Sequence, residues 1–248
     1  MKAKQTLIAL VAACQCFTSF GSELGFTQQS LEQTITKSVK VKYQLYLPQG
    51  YDCDQDKQWP VILFLHGAGE RGDNLDKVKV HGPPKVVEKG GRDLPFIIVA
   101  PQCPTNEIWD NDTLITLLDH VLATYRADGK KVYLTGLSMG GFGTFSLGLT
   151  YPERFAAIAP ICGGGNFIKI YAAKGAKPEA LARLGVWVFH GLKDGVVLPE
   201  QSKVMVDGLK KYGCQDVKFT TYPDAGHDSW TVTYDNAELY EWLLDHSL

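Results

Sequence analysis

The chain alternates between short runs that are apolar throughout and longer stretches in which apolar residues recur every three or four positions. Val61–Leu65, Phe96–Ala100, Val132–Thr135, Phe155–Ala159 and Val186–Phe189 are the short runs. They are apolar on both faces, as parallel strands covered from both sides are. Val217–Tyr222 closes the series, and the alternating segment Lys40–Leu47 reads as a strand with one exposed face. Between them, Leu114, Leu117, Leu118, Val121, Leu122 and Tyr125 share one face of a helix predicted over Asp112–Tyr125, with Asn111 or Asp112 as its cap. Gly140–Thr150, Gln201–Tyr212 and Asn236–Asp245 read as three further helices. Strands and helices in alternation predict the α/β class, with a mostly parallel central sheet and helices on both faces. Cys162–Leu184, between two strands, is too short for a substantial helical cap, so an open cleft without a large lid is expected.

Composition narrows the class and then stops being informative. The 248 residues are 45% hydrophobic and 21% charged, which excludes disordered, collagen-like and small disulfide-scaffold chains. A formal charge of -2 gives no electrostatic basis for gripping nucleic acid or an anionic membrane. No apolar run reaches the roughly 18 to 20 residues of a transmembrane helix. Residues 22–248 suit one large α/β domain.

Met1–Ser22 has the layout of a secretory leader. Lys2 and Lys4 precede the apolar run Thr6–Ala13, and the small residues Ser19, Gly21 and Ser22 follow. Two processing readings stand side by side. Cleavage near Gly21 gives a signal peptide over residues 1–21. Alternatively, Val11-Ala12-Ala13-Cys14 resembles a bacterial lipobox, giving a lipoprotein signal over residues 1–13 and a lipid anchor at Cys14. Both predict export, to the periplasm, the medium or the outer membrane. Past the leader, Cys53, Cys103, Cys162 and Cys214 permit disulfides or four buried thiols. Their spacing matches no zinc pattern, and no metal or organic cofactor is expected.

The chemistry centres on Gly136-Leu137-Ser138-Met139-Gly140, between a predicted strand and a predicted helix. That context is the one a nucleophile elbow needs, a sharp turn that lifts a serine hydroxyl above the sheet edge. A serine hydroxyl is a weak nucleophile and needs a base held by an acid. Asp194 follows the strand Val186–Phe189, and His227 follows the strand Val217–Tyr222, giving the order Ser138, Asp194, His227. The rivals fit less well. Asp224 and Asp228 are too near His227 in sequence, and Asp216 lies at the opposite end of its strand. His81, His120 and His246 read as surface residues, and His190 as a support for the turn that carries Asp194.

His66-Gly67-Ala68-Gly69 follows another strand. Attack on an ester builds charge on the carbonyl oxygen, which the N–H groups of Ala68 and Met139 would receive as an oxyanion hole. His66 reads as a brace for this loop, and Glu70 and Arg71 as further support for it. Trp109 and Trp230 are candidate walls of a substrate pocket. Phe142 and Phe167 read as core residues.

His66-Gly67-Ala68-Gly69-Glu70-Arg71-Gly72-Asp73-Asn74, Ala100-Pro101-Gln102-Cys103-Pro104 with Trp109, Gly136-Leu137-Ser138-Met139-Gly140-Gly141 and Gly226-His227-Asp228-Ser229-Trp230 together resemble the α/β-hydrolase family. More narrowly they resemble exported bacterial esterases of the phospholipase/carboxylesterase and dienelactone-hydrolase-like group, some of whose members are described as predicted peptidases. The resemblance runs from about Val41 to the end. It implies Ser138 as nucleophile, Asp194 as acid, His227 as base and an oxyanion hole at Ala68 and Met139. The expected activity is that of a serine carboxylic-ester hydrolase acting on short-chain or polymer-linked esters. A serine peptidase on the same scaffold is the first alternative, and a catalytically inactive ligand-binding relative the second.

Overall fold

The computed structural model describes Phe26, residues 28–89 and residues 91–248. The leader, with its cleavage position near Gly21 and with Cys14, lies outside the described residues. Residues 28–37 carry no regular secondary structure. Residues 38–248 are a separate unit, built on strands β1 (Tyr43–Tyr46), β2 (Trp59–Leu65), β3 (Ile97–Pro101), β4 (Ala127–Leu137), β5 (Ala157–Ile161), β6 (Gly185–Gly191) and β7 (Val217–Tyr222). Its helices are α1 (Gly82–Glu88), α2 (Asn111–Thr124), α3 (Met139–Thr150), α4 (Phe167–Ala176), α5 (Pro178–Arg183), α6 (Pro199–Lys211), α7 (Trp230–Asp235) and α8 (Ala237–Leu244).

The strands form one sheet in the order β1-β3-β2-β4-β5-β6-β7, and β1 alone runs antiparallel to its neighbour. The expected mostly parallel sheet is therefore present. Alternate residues of each inner strand enter opposite cores. Val61, Leu63 and Leu65 of β2 join one cluster, with Leu114 and Leu118 of α2, Phe145 of α3, Ile170 of α4 and Met205 of α6. Ile62 and Phe64 join the other, with Val86 of α1, Tyr234 of α7 and Leu239 and Leu243 of α8. This double burial is why the strands are apolar on both faces.

Some expectations are corrected. Helix α2 begins at Asn111, and its cap is Asp110, whose side chain accepts from the Thr113 N–H at 2.9 Å. Asn111 instead ties α2 to α3, donating to the Thr150 hydroxyl at 3.0 Å. The 162–184 segment contains two helices, α4 and α5. They complete the body of the fold, since Ile170, Ala173 and Leu181 enter the core. Cys53, Cys103, Cys162 and Cys214 are free thiols, the last three of them buried. Among the described residues no helix is long and apolar enough to cross a membrane.

The chain leaves β2 for β3 on one side of it, and after β4 it runs to the other side. The crevice between the carboxyl ends of β2 and β4 is therefore the topological switch point, where open α/β sheets bind ligands. Ala68 follows β2 and Ser138 follows β4.

Candidate active site

Ser138 stands between the end of β4 and the start of α3 with φ 53° and ψ -118°. A side chain in that region is strained by about 1 to 3 kcal/mol, which only over-determined surroundings can hold. Two backbone bonds do so. The Ser138 N–H donates to the Ile161 carbonyl at 3.0 Å, and the Phe142 N–H donates to the Ser138 carbonyl at 3.1 Å. The turn also needs its glycines, because a methyl group at Gly140 would overlap the Leu65 carbonyl and one at Gly136 would overlap the Gly140 carbonyl.

The three residues expected to work together are joined. His227 Nε2 lies 2.9 Å from Ser138 Oγ, and His227 Nδ1 lies 2.7 Å from Asp194 Oδ2. The Asp194 side chain is fully buried and the His227 ring is 19% exposed, so the line runs from the interior to the cleft. Asp194 Oδ1 accepts the N–H groups of Val196 and Val197, both at 2.9 Å. The four residues between Asp194 and α6 thus wrap the carboxylate. Burial pushes the Asp194 carboxyl up, but the donors from His227, Val197 and Val196 outweigh it and hold the carboxyl below its ordinary value. It is an anion that can fix the His227 ring and stabilise its protonated form.

The rivals are placed elsewhere. Asp224 pairs with Lys193 at the surface, and Asp216 meets His246 Nε2 at 2.8 Å at the amino end of β7. His81 and His246 are corrected from surface to half-buried positions. His81 stacks edge-on against Trp230 at 5.4 Å, and Trp230 does the same against His227 at 5.2 Å.

Ala68 and Met139 each open a helical turn, a short 3-10 turn for Ala68 and α3 for Met139. The first N–H groups of a helix have no acceptor within it and are free for a developing anion. The loop at Ala68 is held from below. His66 Nδ1–H donates to the Gly67 carbonyl at 2.6 Å, and its Nε2 accepts the Cys103 N–H at 3.0 Å. Arg71 donates to the carbonyls of Ala68 at 3.0 Å and Glu107 at 3.1 Å, and Gln102 donates to the Glu70 carbonyl. Glu70 reaches from the loop toward α1, its carboxylate 3.8 Å from His81 Nε2.

Burial lowers the His66 pKa below the ordinary 6.5, against the opposing pull of the Gly67 carbonyl and Glu70. The folded chain keeps this ring neutral while the unfolded chain takes up a proton, so stability falls as pH drops below 6.5. Urea midpoints at about pH 7 and pH 5 should show the loss, and His66→Gln should reduce it. The slope that remains belongs to His81, which burial lowers in the same direction. An unchanged slope in the variant would remove His66 from this account.

Trp109 is where a pocket wall was expected. Its Nε1–H donates to the His66 carbonyl at 3.1 Å, and it packs so closely on Gly143 that a methyl group there would strike it. With Ile108, Met139, Phe142, Gly143 and Ser146 it lines an apolar cleft of about 440 Å³ beside the elbow. Phe142 and Phe167 are not core residues, being 38% and 37% exposed. Residues 139, 142, 143 and 146 form one helical stripe beginning just after the serine, but only Trp109 closing over Gly143 leaves Phe142 at the cleft. Cys162, with φ 40°, lies behind the triad, its Sγ within 4.8 Å of an Asp194 carboxylate oxygen and a His227 ring nitrogen. Burial pushes its thiol up to about 12, so it remains protonated there.

A hydroxyl, an imidazole and a buried carboxylate in line can transfer an acyl group through the serine. Comparison with known proteins meets this geometry from two directions. A model of the prolyl oligopeptidase family matches residues 179–247, which contain Asp194 and His227. A solved thermostable esterase is 33% identical with a TM-score of 0.71, over 85% of this chain and 60% of that one. The bifunctional acetylxylan esterase/xylanase XynS20E of Neocallimastix patriciarum is 30% identical over 74% of this chain and 26% of its own length. Feruloyl esterase D of Neurospora crassa is 26% identical over 94% of this chain and 81% of its own. The chain thus spans about a quarter of the first relative and most of the second. A model of the family described as Putative esterase matches residues 35–166, more than half of the chain and the part that carries Ala68, Ser138 and Met139, and the chain belongs to that esterase family.

Proposed function

We propose that this chain is a serine carboxylic-ester hydrolase. The observation that carries the reading is the unbroken line from Ser138 Oγ through His227 to Asp194, at 2.9 and 2.7 Å. His227 Nε2 takes the Ser138 proton as Oγ bonds to the ester carbonyl carbon. The oxyanion that forms is held by the N–H groups of Ala68 and Met139. When the tetrahedral intermediate collapses, His227 gives its proton to the departing alkoxide and an acyl-serine remains. Water then repeats the sequence with the same base, releasing the acid and restoring the hydroxyl. Asp194 keeps its charge throughout.

Two observations support a substrate class. The cleft beside Met139 is apolar and open to solvent along the exposed side chains of Ile108 and Phe142. Helices α4 and α5 are built into the body rather than folded over the serine. Both favour short acyl groups, on small molecules or hanging from a polymer. The relatives' names, an acetylxylan esterase and a feruloyl esterase, are in keeping with esters carried on larger molecules.

A p-nitrophenyl ester series is the test. Acyl chains of about two to four carbons should give the highest kcat/KM, because longer chains find no enclosed channel in which to gain further contact. A maximum at long chains would overturn the open-cleft reading. The match of residues 179–247 to the prolyl oligopeptidase family favours a second reading, peptide hydrolysis at the same serine. Peptide amides measured beside the esters decide between them. The basic and apolar leader supports a place of action outside the cytoplasm.

A further inference from the structure

His190 is the penultimate residue of β6, four residues before Asp194, and its side chain is completely buried. Its Nδ1 lies 2.7 Å from the hydroxyl of Ser202 in α6. Its Nε2 lies 2.9 Å from the Val197 carbonyl oxygen and 3.2 Å from Asp194 Oδ2. Ser202 Oγ donates in turn to the Gly163 carbonyl at 2.8 Å. Protons can be counted along this line because both ends are acceptors only. The one hydroxyl proton of Ser202 is committed to the Gly163 carbonyl. The 2.7 Å contact to Nδ1 then requires a proton on the ring nitrogen. Nε2 faces a carbonyl and a carboxylate, neither of which donates, so it needs a proton as well. A neutral ring would leave two lone pairs facing each other at hydrogen-bond distance in the interior, where nothing else relieves them.

We infer that His190 is a standing imidazolium, ion-paired with the carboxylate oxygen that also receives His227, and that it is a positioning residue for the reaction. This rests on the triad reading. The buried charge is balanced by Asp194, which is how an interior tolerates a cation. The titratable side chains grouped around the pair are His227, which shares Oδ2, and Cys162 at the end of β5, while α6 contributes the uncharged Ser202.

The consequence is a shared oxygen. When His227 takes the Ser138 proton, a second positive charge forms beside Oδ2. The charge already on His190 opposes it, so His227 gives its proton up more readily to the leaving alkoxide. The carboxylate holds the ring in place without trapping the proton on it.

The test has two arms. In 15N spectra of the whole protein with labelled histidine, His190 should show both ring nitrogens protonated at neutral pH. A single protonated nitrogen there would overturn the inference, and this arm needs no turnover. In His190→Gln, which removes the charge and keeps an N–H donor, the acid limb of kcat/KM should move up by about one pH unit, with KM little changed. An unmoved limb with lower activity at every pH would make His190 merely structural. If that variant does not fold, Ser202→Ala removes the acceptor of the Nδ1 proton and should leave His190 with a single protonated nitrogen in the same spectra. Spectra unchanged by that substitution would contradict the proton count. A triad that proves inactive while His190 carries both protons would sink the function and leave the charge assignment standing.

Discussion

Ser138→Ala should lower kcat by roughly 10⁴- to 10⁶-fold, while the protein unfolds at nearly the same temperature. The reason is local. Removing Oγ deletes the atom that forms the acyl bond and leaves His227 Nε2 without its 2.9 Å partner. The backbone strain at this position is indifferent to the change, since alanine carries the same Cβ at φ 53°. The two backbone bonds that hold the turn, to Ile161 and from Phe142, do not involve the side chain. The lost side-chain hydrogen bond is worth about 1 kcal/mol and sits at the half-exposed end of the triad. Some catalysis over water should remain, because the oxyanion hole proposed at Ala68 and Met139 does not involve the Ser138 side chain. A variant that keeps a tenth of the ester turnover would mean that another nucleophile does the work. A fluorophosphonate probe should label the wild type and not the variant, and a wild type that resists labelling would favour a ligand-binding relative.

Asp194→Asn should be nearly as damaging to activity and far more damaging to stability. Four donors converge on this carboxylate: the N–H groups of Val196 and Val197 on one oxygen, and His227 and His190 on the other. An amide offers one oxygen. If that oxygen faces the histidines, the amide nitrogen meets two backbone N–H groups. If it faces the backbone, the nitrogen meets two ring N–H groups and turns His227 to the tautomer that cannot take the Ser138 proton. Every arrangement leaves buried donors facing each other, at about 1 to 3 kcal/mol for each unsatisfied group. The expected result is a fall in kcat/KM of about 10³- to 10⁴-fold with a clear drop in the urea midpoint. A variant as stable as wild type would show that the loop from Gly195 to Leu198 does not depend on the carboxylate. Acid should act in the same direction. Because the folded carboxyl lies below its ordinary value of 3.8, its contribution is complete above that pH and is lost as pH falls through the folded value.

The two variants separate chemistry from architecture at one site. Ser138 contributes a reacting atom and little stability. Asp194 contributes orientation and charge, and the loop that carries it is organised by the same four bonds. A hydrolase that places its acid in the interior ties catalysis to local packing in this way.

Much of this was legible along the chain because the fold is built from contacts that sequence periodicity encodes. Runs such as Val61–Leu65 announce strands buried on both faces, and the glycines around Ser138 announce a turn too tight for any Cβ. The order Ser138, Asp194, His227 follows from which strand ends precede which loops. What the sequence could not decide were relations that depend on side chains meeting from distant elements. Phe142 looks like any helical aromatic until Trp109 is seen to close over Gly143 and leave its neighbour at the cleft. His81 looks like a loop histidine until α1 sets it against Trp230. His190 looks like a brace until Ser202, brought in by α6, and Gly163, brought in by β5, fix which atoms donate. Periodicity reports which face of an element is buried. Which proton sits on which nitrogen is set by acceptors that only the folded chain assembles.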